Sequence, residues 1–238
     1  MADYGNSGHY RQDLQKVRTV LPTVLFIAML TMVLPASASV FMYPGAGNGT
    51  IQDLINRTSS GDSVYIVPGT YHENLVIDRG IVFGALDTEN PAVIVASGSR
   101  PGIQLAADGI TLNGLVITGT APTGLIVQSN NNRISDITVQ GFERGVELSN
   151  AGNNILSKNT ITNNSIGIVL DRSSRSNTLF LNRFDNMADV AGQASDVQWF
   201  TTRQDYTYNG SGFTGPLGNY WKAYTGVDSN GNGVGDTA

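Results

Sequence analysis

Apolar residues between Ile103 and Phe184 recur in three registers that share one period. Ile103-Gln-Leu105, Leu125-Ile-Val127, Val146-Glu-Leu148 and Ile168-Val-Leu170 follow one another at steps of 22, 21 and 22 residues, each with a glycine just before it. Leu112, Ile134, Leu156 and Leu179 form a second column, and Ile117, Val139, Ile161 and Phe184 a third, both at steps of 22, 22 and 23. Within each segment apolar side chains alternate with others, the period-two signature of a strand with one buried face. Gly, Asn and Ser fill the intervals as turn formers. A repeat of this length cannot enclose a core of its own, so each must bury its columns against its neighbours. The pattern predicts an all-β chain wound as a parallel β-helix solenoid, with coils about 4.8 Å apart and like side chains in contact from coil to coil.

Asparagine follows the same period. Asn132, Asn154 and Asn177 keep one register, and Asn159 and Asn182 another. Stacked at corners, such side chains tolerate left-handed backbone and hydrogen-bond along the solenoid axis. Upstream, Ile51, Leu54 and Ile55 have helical spacing behind Thr50, a candidate N-cap, which predicts a short helix closing the open N-terminal end. Early strands are expected at Glu73 to Ile77, Ile81 to Phe83 and Ala92 to Val95. The expected organisation is an N-terminal capping segment at 39–63, the β-helix at 64–190 and an irregular, aromatic-rich C-terminal cap at 191–238. Trp199, Phe200, Tyr206, Tyr208, Phe213, Tyr220, Trp221 and Tyr224 all fall in that last segment, either packed over the open end or offering rings to sugar faces.

The first forty residues differ from the rest. Arg11, Lys16 and Arg18 precede an uncharged run, Val20 to Leu34, followed by the small-x-small sequence Ala36-Ser37-Ala38. Residues 1–38 therefore read as an export signal cleaved after Ala38, or as an uncleaved membrane anchor. Both place the body outside the cytoplasm, secreted or held at the cell envelope, because the basic flank stays inside. Any contact with a membrane is expected only through an uncleaved N-terminus. The net charge of −5 becomes −6 once that segment is removed. An acidic chain with no basic run lacks the attraction that nonspecific nucleic-acid binding requires, so nucleic acid is not an expected partner. Zero cysteine excludes disulfides, thiolate metal sites and a thiol nucleophile. Sequons at Asn48, Asn56, Asn163 and Asn209 suit an exported chain.

The tail carries a metal-loop pattern. Asp228, Asn230, Asn232 and Asp236 occupy positions 1, 3, 5 and 9 of a D-x-N-x-N-G loop, Gly233 the sharp-turn position and Val234 that of the carbonyl ligand. These five ligands, Asp228, Asn230, Asn232, Val234 and Asp236, form a weak oxygen cage for Ca2+. The alternative is a Gly/Asn turn that holds no ion.

Gly61-Asp-Ser-Val-Tyr-Ile-Val-Pro-Gly-Thr-Tyr-His-Glu-Asn74 and the Asn-rich 22-residue repeats resemble the NosD-like, carbohydrate-binding and sugar-hydrolase (CASH) right-handed parallel β-helices. The ending from Gly218 to Asp236 resembles that of archaeal surface members of the group. The resemblance spans about Ile51 to Asp236 and implies a right-handed coil. Its chemistry stays open, because these repeats occur in sugar-processing enzymes, in binding proteins and in proteins named for copper delivery. Copper needs Met, Cys or imidazole ligands, and residues 39–238 offer only His72, Met42 and Met187, which argues against a copper site. Uronate-processing β-helix enzymes gather acids and bases on an outer face. The corresponding candidates here are Asp136, Lys158, Arg183 and Asp185, with Glu147 and Asp171-Arg172 on other coils. Stacked opposite charges equally form solvated ladder pairs. Three functions follow: non-catalytic binding of a glycan or cell-surface polymer, a polysaccharide lyase or glycoside hydrolase acting on acidic polysaccharide, or a structural spacer in a surface assembly.

Overall fold

Alternation forces each short apolar segment to turn one face inward, and the corners between segments let the chain come back above itself one coil later. The computed structural model describes residues 37–44 and 49–234. Residues 1–36 of the expected export segment, Asn48 and Asp236 lie outside these. The described chain is a right-handed parallel β-solenoid with three sheets. The first sheet stacks Val40–Tyr43, Ser63–Ile66, Val82–Ala85, Thr111–Asn113, Arg133–Ser135, Ile155–Ser157 and Thr178–Phe180. The second stacks Thr70–Tyr71, Val93–Ala96, Val116–Gly119, Thr138–Gln140, Thr160–Thr162, Arg183–Asp185 and Tyr220–Trp221. The third stacks Leu75–Ile77, Ile103–Leu105, Thr123–Val127, Arg144–Leu148, Ile166–Leu170 and Ala188–Gly192.

The three apolar columns are registers of these sheets. Leu112, Ile134, Leu156 and Leu179 pair in succession on the first. Ile117, Val139, Ile161 and Phe184 do so on the second, and Leu125, Val146 and Ile168 on the third. All of them are buried. Each such side chain removed from water contributes about 1.5–3 kcal/mol, so the column is the main stabilising device in a chain without cross-links. Early coils depart from the 22-residue step. Val64 pairs with Phe83 and Phe83 with Leu112, steps of 19 and 29 residues, because the intervening corners differ in length.

Both ends are closed. Helix Ile51–Asn56 buries Ile51, Leu54 and Ile55. Thr50 is its N-cap: the Thr50 hydroxyl accepts from the Asp53 amide at 3.0 Å, and the Asp53 carboxylate accepts from the Thr50 amide at 2.9 Å. The Glu73 carboxylate takes the next two amides, Ile51 at 2.9 Å and Gln52 at 3.2 Å. The 39–63 segment does more than cap, since Val40–Tyr43 pairs along its length with Ser63–Ile66 and opens the first sheet. At the other end Trp221 stacks on Phe184 with ring centres 4.5 Å apart, and Trp199 tilts against Trp221 at 5.5 Å. The cap also holds an antiparallel hairpin, Gln204–Tyr208 with Ser211–Gly215, in which Tyr206 stacks on Phe213.

Buried asparagines tie the corners together. Asn132 Nδ2 donates to Asn154 Oδ1 at 2.8 Å, and Asn154 Nδ2 to Asn177 Oδ1 at 3.0 Å. A second ladder runs Asn159, Asn182, Asn219, and a third Asn164, Asn186, Asp189. Left-handed backbone does not fall on the rungs themselves. It falls one residue earlier, at Asn131, Asn153 and Ser176 for the first ladder and at Lys158 and Leu181 for the second. This turn aims the following asparagine inward, where it satisfies backbone groups the corner takes out of the sheet.

Candidate functional site

The charged candidates separate into a corner pair and a strand pair. Asp136 and Lys158 are exposed and have φ of 56° and 58°. They share a corner column with Gly114 and Leu181, also left-handed, and among the described residues no ion pair joins them. Their place is fixed by the corner, so their charges look into solvent and do not converge. Glu147, on the outer face of the third sheet, pairs with Arg144 at 3.4 Å. Asp171 is consumed by its own turn. Burial opposes its ionisation, but hydrogen bonds from Ser173, Ser174 and the Asn150 amide outweigh that and bring its pKa down to about 2.

Arg183 and Asp185 do come together, on the outer face of the second sheet. Their side chains approach to 3.7 Å, and Lys222 Nζ reaches Asp185 Oδ1 at 2.8 Å. The Arg183 guanidinium lies over the Tyr220 ring, 4.8 Å from its centre. Below this cluster the same face continues coil by coil: Thr138 pairs with Thr160, which pairs with Arg183, which pairs with Tyr220. Gln140, Thr162 and Asp185 form the parallel column. The result is a file of neutral hydroxyl and amide groups at strand spacing, ending in an aromatic platform with a cation on it. Tyr220 and Lys222 were not legible as members, because the last step of the register is 37 residues and skips the hairpin.

In the tail, side-chain oxygens of the predicted metal loop bind the loop's own backbone. Asp228 carboxylate oxygens accept from the Asn232 amide at 2.9 Å and the Gly233 amide at 2.7 Å, and Asn232 Oδ1 accepts from the Val234 amide at 2.8 Å. These bonds close 228–234 into a turn held by its own side chains. Among the described residues no three His, Cys, Asp or Glu side chains are placed to share a metal ion. For copper the donor set does not fit. Among the described residues, His72 and Met42 sit on the first coils and Met187 beside the last strand of the third sheet, so these soft or borderline ligands are split between opposite ends.

Residues 50–226 match the family model described as periplasmic copper-binding protein (NosD). No curated protein matches the chain. Among solved structures, the chain is similar to an alginate lyase from Paenibacillus sp. str. FPU-7, at 15% identity and a TM-score of 0.50. That alignment covers 61% of this chain and 61% of the lyase, so the match spans under two thirds of that protein. Pectin methylesterase PemA from Erwinia chrysanthemi aligns over 81% of this chain and 91% of its own, at 13% identity and a TM-score of 0.41. At such identities the likeness to the lyase is one of fold.

Proposed function

Because the chain belongs to the NosD family, we propose that it is an exported cell-envelope β-helix that binds a glycan or other surface polymer along an outer sheet face without turning it over. The family is described as periplasmic, which supports a position outside the cytoplasm. The observation that carries the reading is the second-sheet face. Thr138, Thr160 and Gln140 offer hydroxyls and an amide in file, with Thr162 buried between Gln140 and Asp185, and Tyr220 with Arg183 offers a ring and a cation at its end. A polymer of repeating hydroxylated rings matches such a file, taking hydrogen bonds along it and stacking at the platform. The one carboxylate there, Asp185, is already paired with Lys222 and Arg183, and among the described residues no second carboxylate stands beside it on that face for acid–base work on a glycosidic bond.

The test is a glycan array together with a panel of acidic polysaccharides, incubated with and without calcium. Binding without turnover predicts retention and no new chain ends, with affinity falling about 2–10-fold in Tyr220→Ala, the worth of one stacked ring. New unsaturated or reducing ends would establish a lyase or hydrolase instead. Absence of retention on every glycan would leave the spacer reading.

A further inference from the structure

The first strand of the solenoid is held at its entry by one carboxylate. The Ser39 amide nitrogen lies 2.7 Å from Asp62 Oδ1, and the Ser59 amide lies 2.7 Å from Asp62 Oδ2. Ser39 O accepts from the Ser63 amide at 2.8 Å, which starts the pairing of Val40–Tyr43 with Ser63–Ile66. Asp62 itself is buried, at 7% exposure. Ser37, Ala38 and Ser39 are exposed and outside any strand, as a protease substrate must be, and the folded unit begins at Ser37. The Ala36-Ser37-Ala38 sequence puts the expected cleavage on the peptide bond whose nitrogen Asp62 already grips.

We propose that this cleavage converts the Ser39–Asp62 hydrogen bond into an ion pair, so that export processing itself fastens the first coil. The inference rests on the export reading above. Hydrolysis by a membrane-bound signal peptidase adds water across the Ala38–Ser39 bond. The hydroxyl goes to the Ala38 carbonyl carbon, which leaves as a carboxylate, and Ser39 keeps its nitrogen as an α-ammonium. In the uncut chain a neutral amide gives Asp62 one hydrogen bond. In the cut chain a full positive charge stands at the same place, and charge-assisted bonds are about twice as strong as neutral ones. Hydrogen bonds from the Ser59 and Ser39 amides already lower the Asp62 pKa, so the carboxylate is ionised and ready for the cation.

The other charges on the elements around Asp62 are occupied. Arg79 binds Asp78 at 2.8 Å and the carbonyls of Asn56 and Thr58, and Arg57 Nε binds the Asp53 carbonyl. The Asp53 and Glu73 carboxylates are taken by helix amides. The new amine therefore meets a single dominant partner, which raises its pKa in the folded chain. The stabilisation is complete below the unfolded amine value of about 7.7–8.0 and is lost as pH rises through the higher folded value. On the acid side it is lost as pH falls below the ordinary aspartate value of 3.8 through the lowered one.

The full-length gene is expressed with its own leader and the exported protein is sequenced from its N-terminus. Ser39 as first residue supports the proposal, and another start within the exported protein overturns it. A product that keeps residues 1–36 overturns the export-and-cleavage reading itself. The exported protein is then reductively methylated with 13C-formaldehyde and its amines are titrated by NMR, with Lys158 and Lys222 as internal references. The α-amine is expected to titrate about one unit above the same amine in urea. The Asp62→Asn variant is expected to bring it back. An α-amine with the same pKa folded and unfolded in the wild-type protein overturns the ion pair, whether or not the variant folds.

Discussion

Each corner in this fold divides two tasks between adjacent residues: one turns the backbone left-handed, and the next sends an amide inward. Asn159 shows the second task. Its Oδ1 accepts from the Ile137 amide at 3.2 Å, while Nδ2 donates to the Ile134 carbonyl at 3.0 Å and to Asn182 Oδ1 at 2.9 Å. Asn159→Ala leaves several buried groups unsatisfied and is expected to cost about 2–4 kcal/mol, read as a lower urea midpoint at unchanged m-value. Leu181 shows the first task. It holds φ of 56° where the column above has Gly114, Asp136 and Lys158, and its side chain is half-exposed. A left-handed conformation costs an L-residue about 1–2 kcal/mol, less for asparagine, so Leu181→Asn should stabilise the protein by about 0.5–1 kcal/mol in the same titration. The period of the asparagines was legible in the sequence because spacing survives translation along the axis. The division of labour was not, since Asn is favoured at both positions. For the same reason Asp136 and Lys158 are open in the sequence to two readings, an acid–base pair or a solvated ladder pair: a charged column at a fixed register reads alike at a solvent-facing corner and on a binding face.

Elements depend on how their ends are fastened. The turn after Ile166–Leu170 is organised by Asp171, whose oxygens collect the amides and hydroxyls of Ser173 and Ser174 and the amide of Asn150 one coil back. Its pKa of about 2, against 3.8 for an ordinary aspartate, means that the unfolded chain takes up its proton first on acidification. The Tm difference between wild type and Asp171→Ala should therefore be constant above pH 4 and shrink as pH falls towards 2. A difference as large at pH 2 as at neutral pH would place the effect in packing instead. On the third sheet, Gly145 illustrates another constraint: a Cβ there would stand 2.7 Å from both Asn164 Nδ2 and the Gly167 carbonyl. Gly145→Ala is expected to cost about 1–3 kcal/mol, measured by the same denaturation. The glycine ahead of four of the third-sheet apolar pairs is visible as a pattern in the sequence, but its cause differs by coil: Asn164 and Asn186 crowd Gly145 and Gly167, whereas Val139 and Phe142 crowd Gly124, and only the packed coils show which.

The solenoid as a whole is a row of nearest-neighbour contacts, so stability should be graded along it. The middle coils have a neighbour on each side, and their columns are sealed by buried Leu112, Ile134 and Leu156. The final coil has one neighbour, and its outer side is closed by Trp199 and Trp221 against Phe184. The hairpin Gln204–Tyr208 with Ser211–Gly215 makes a separate two-stranded sheet, marginal by itself. Amide exchange should accordingly be fastest in the hairpin, intermediate in Thr178–Gly192 and slowest in Thr111–Gln140. Trp221→Ala removes the stacked ring from Phe184 and ends the pairing of Tyr220–Trp221 against Arg183–Asp185 in a cavity. It should raise exchange at 178–192 at least tenfold while leaving Thr111–Gln140 within a factor of two, because each interface answers only to its neighbours. Equal loss of protection over the whole coil would mean that the cap and the middle unfold as one unit. The polar file at Thr138, Thr160 and Arg183 would then lose its rigidity together with its aromatic end, and the binding face could not be altered at Tyr220 without disturbing every rung below it.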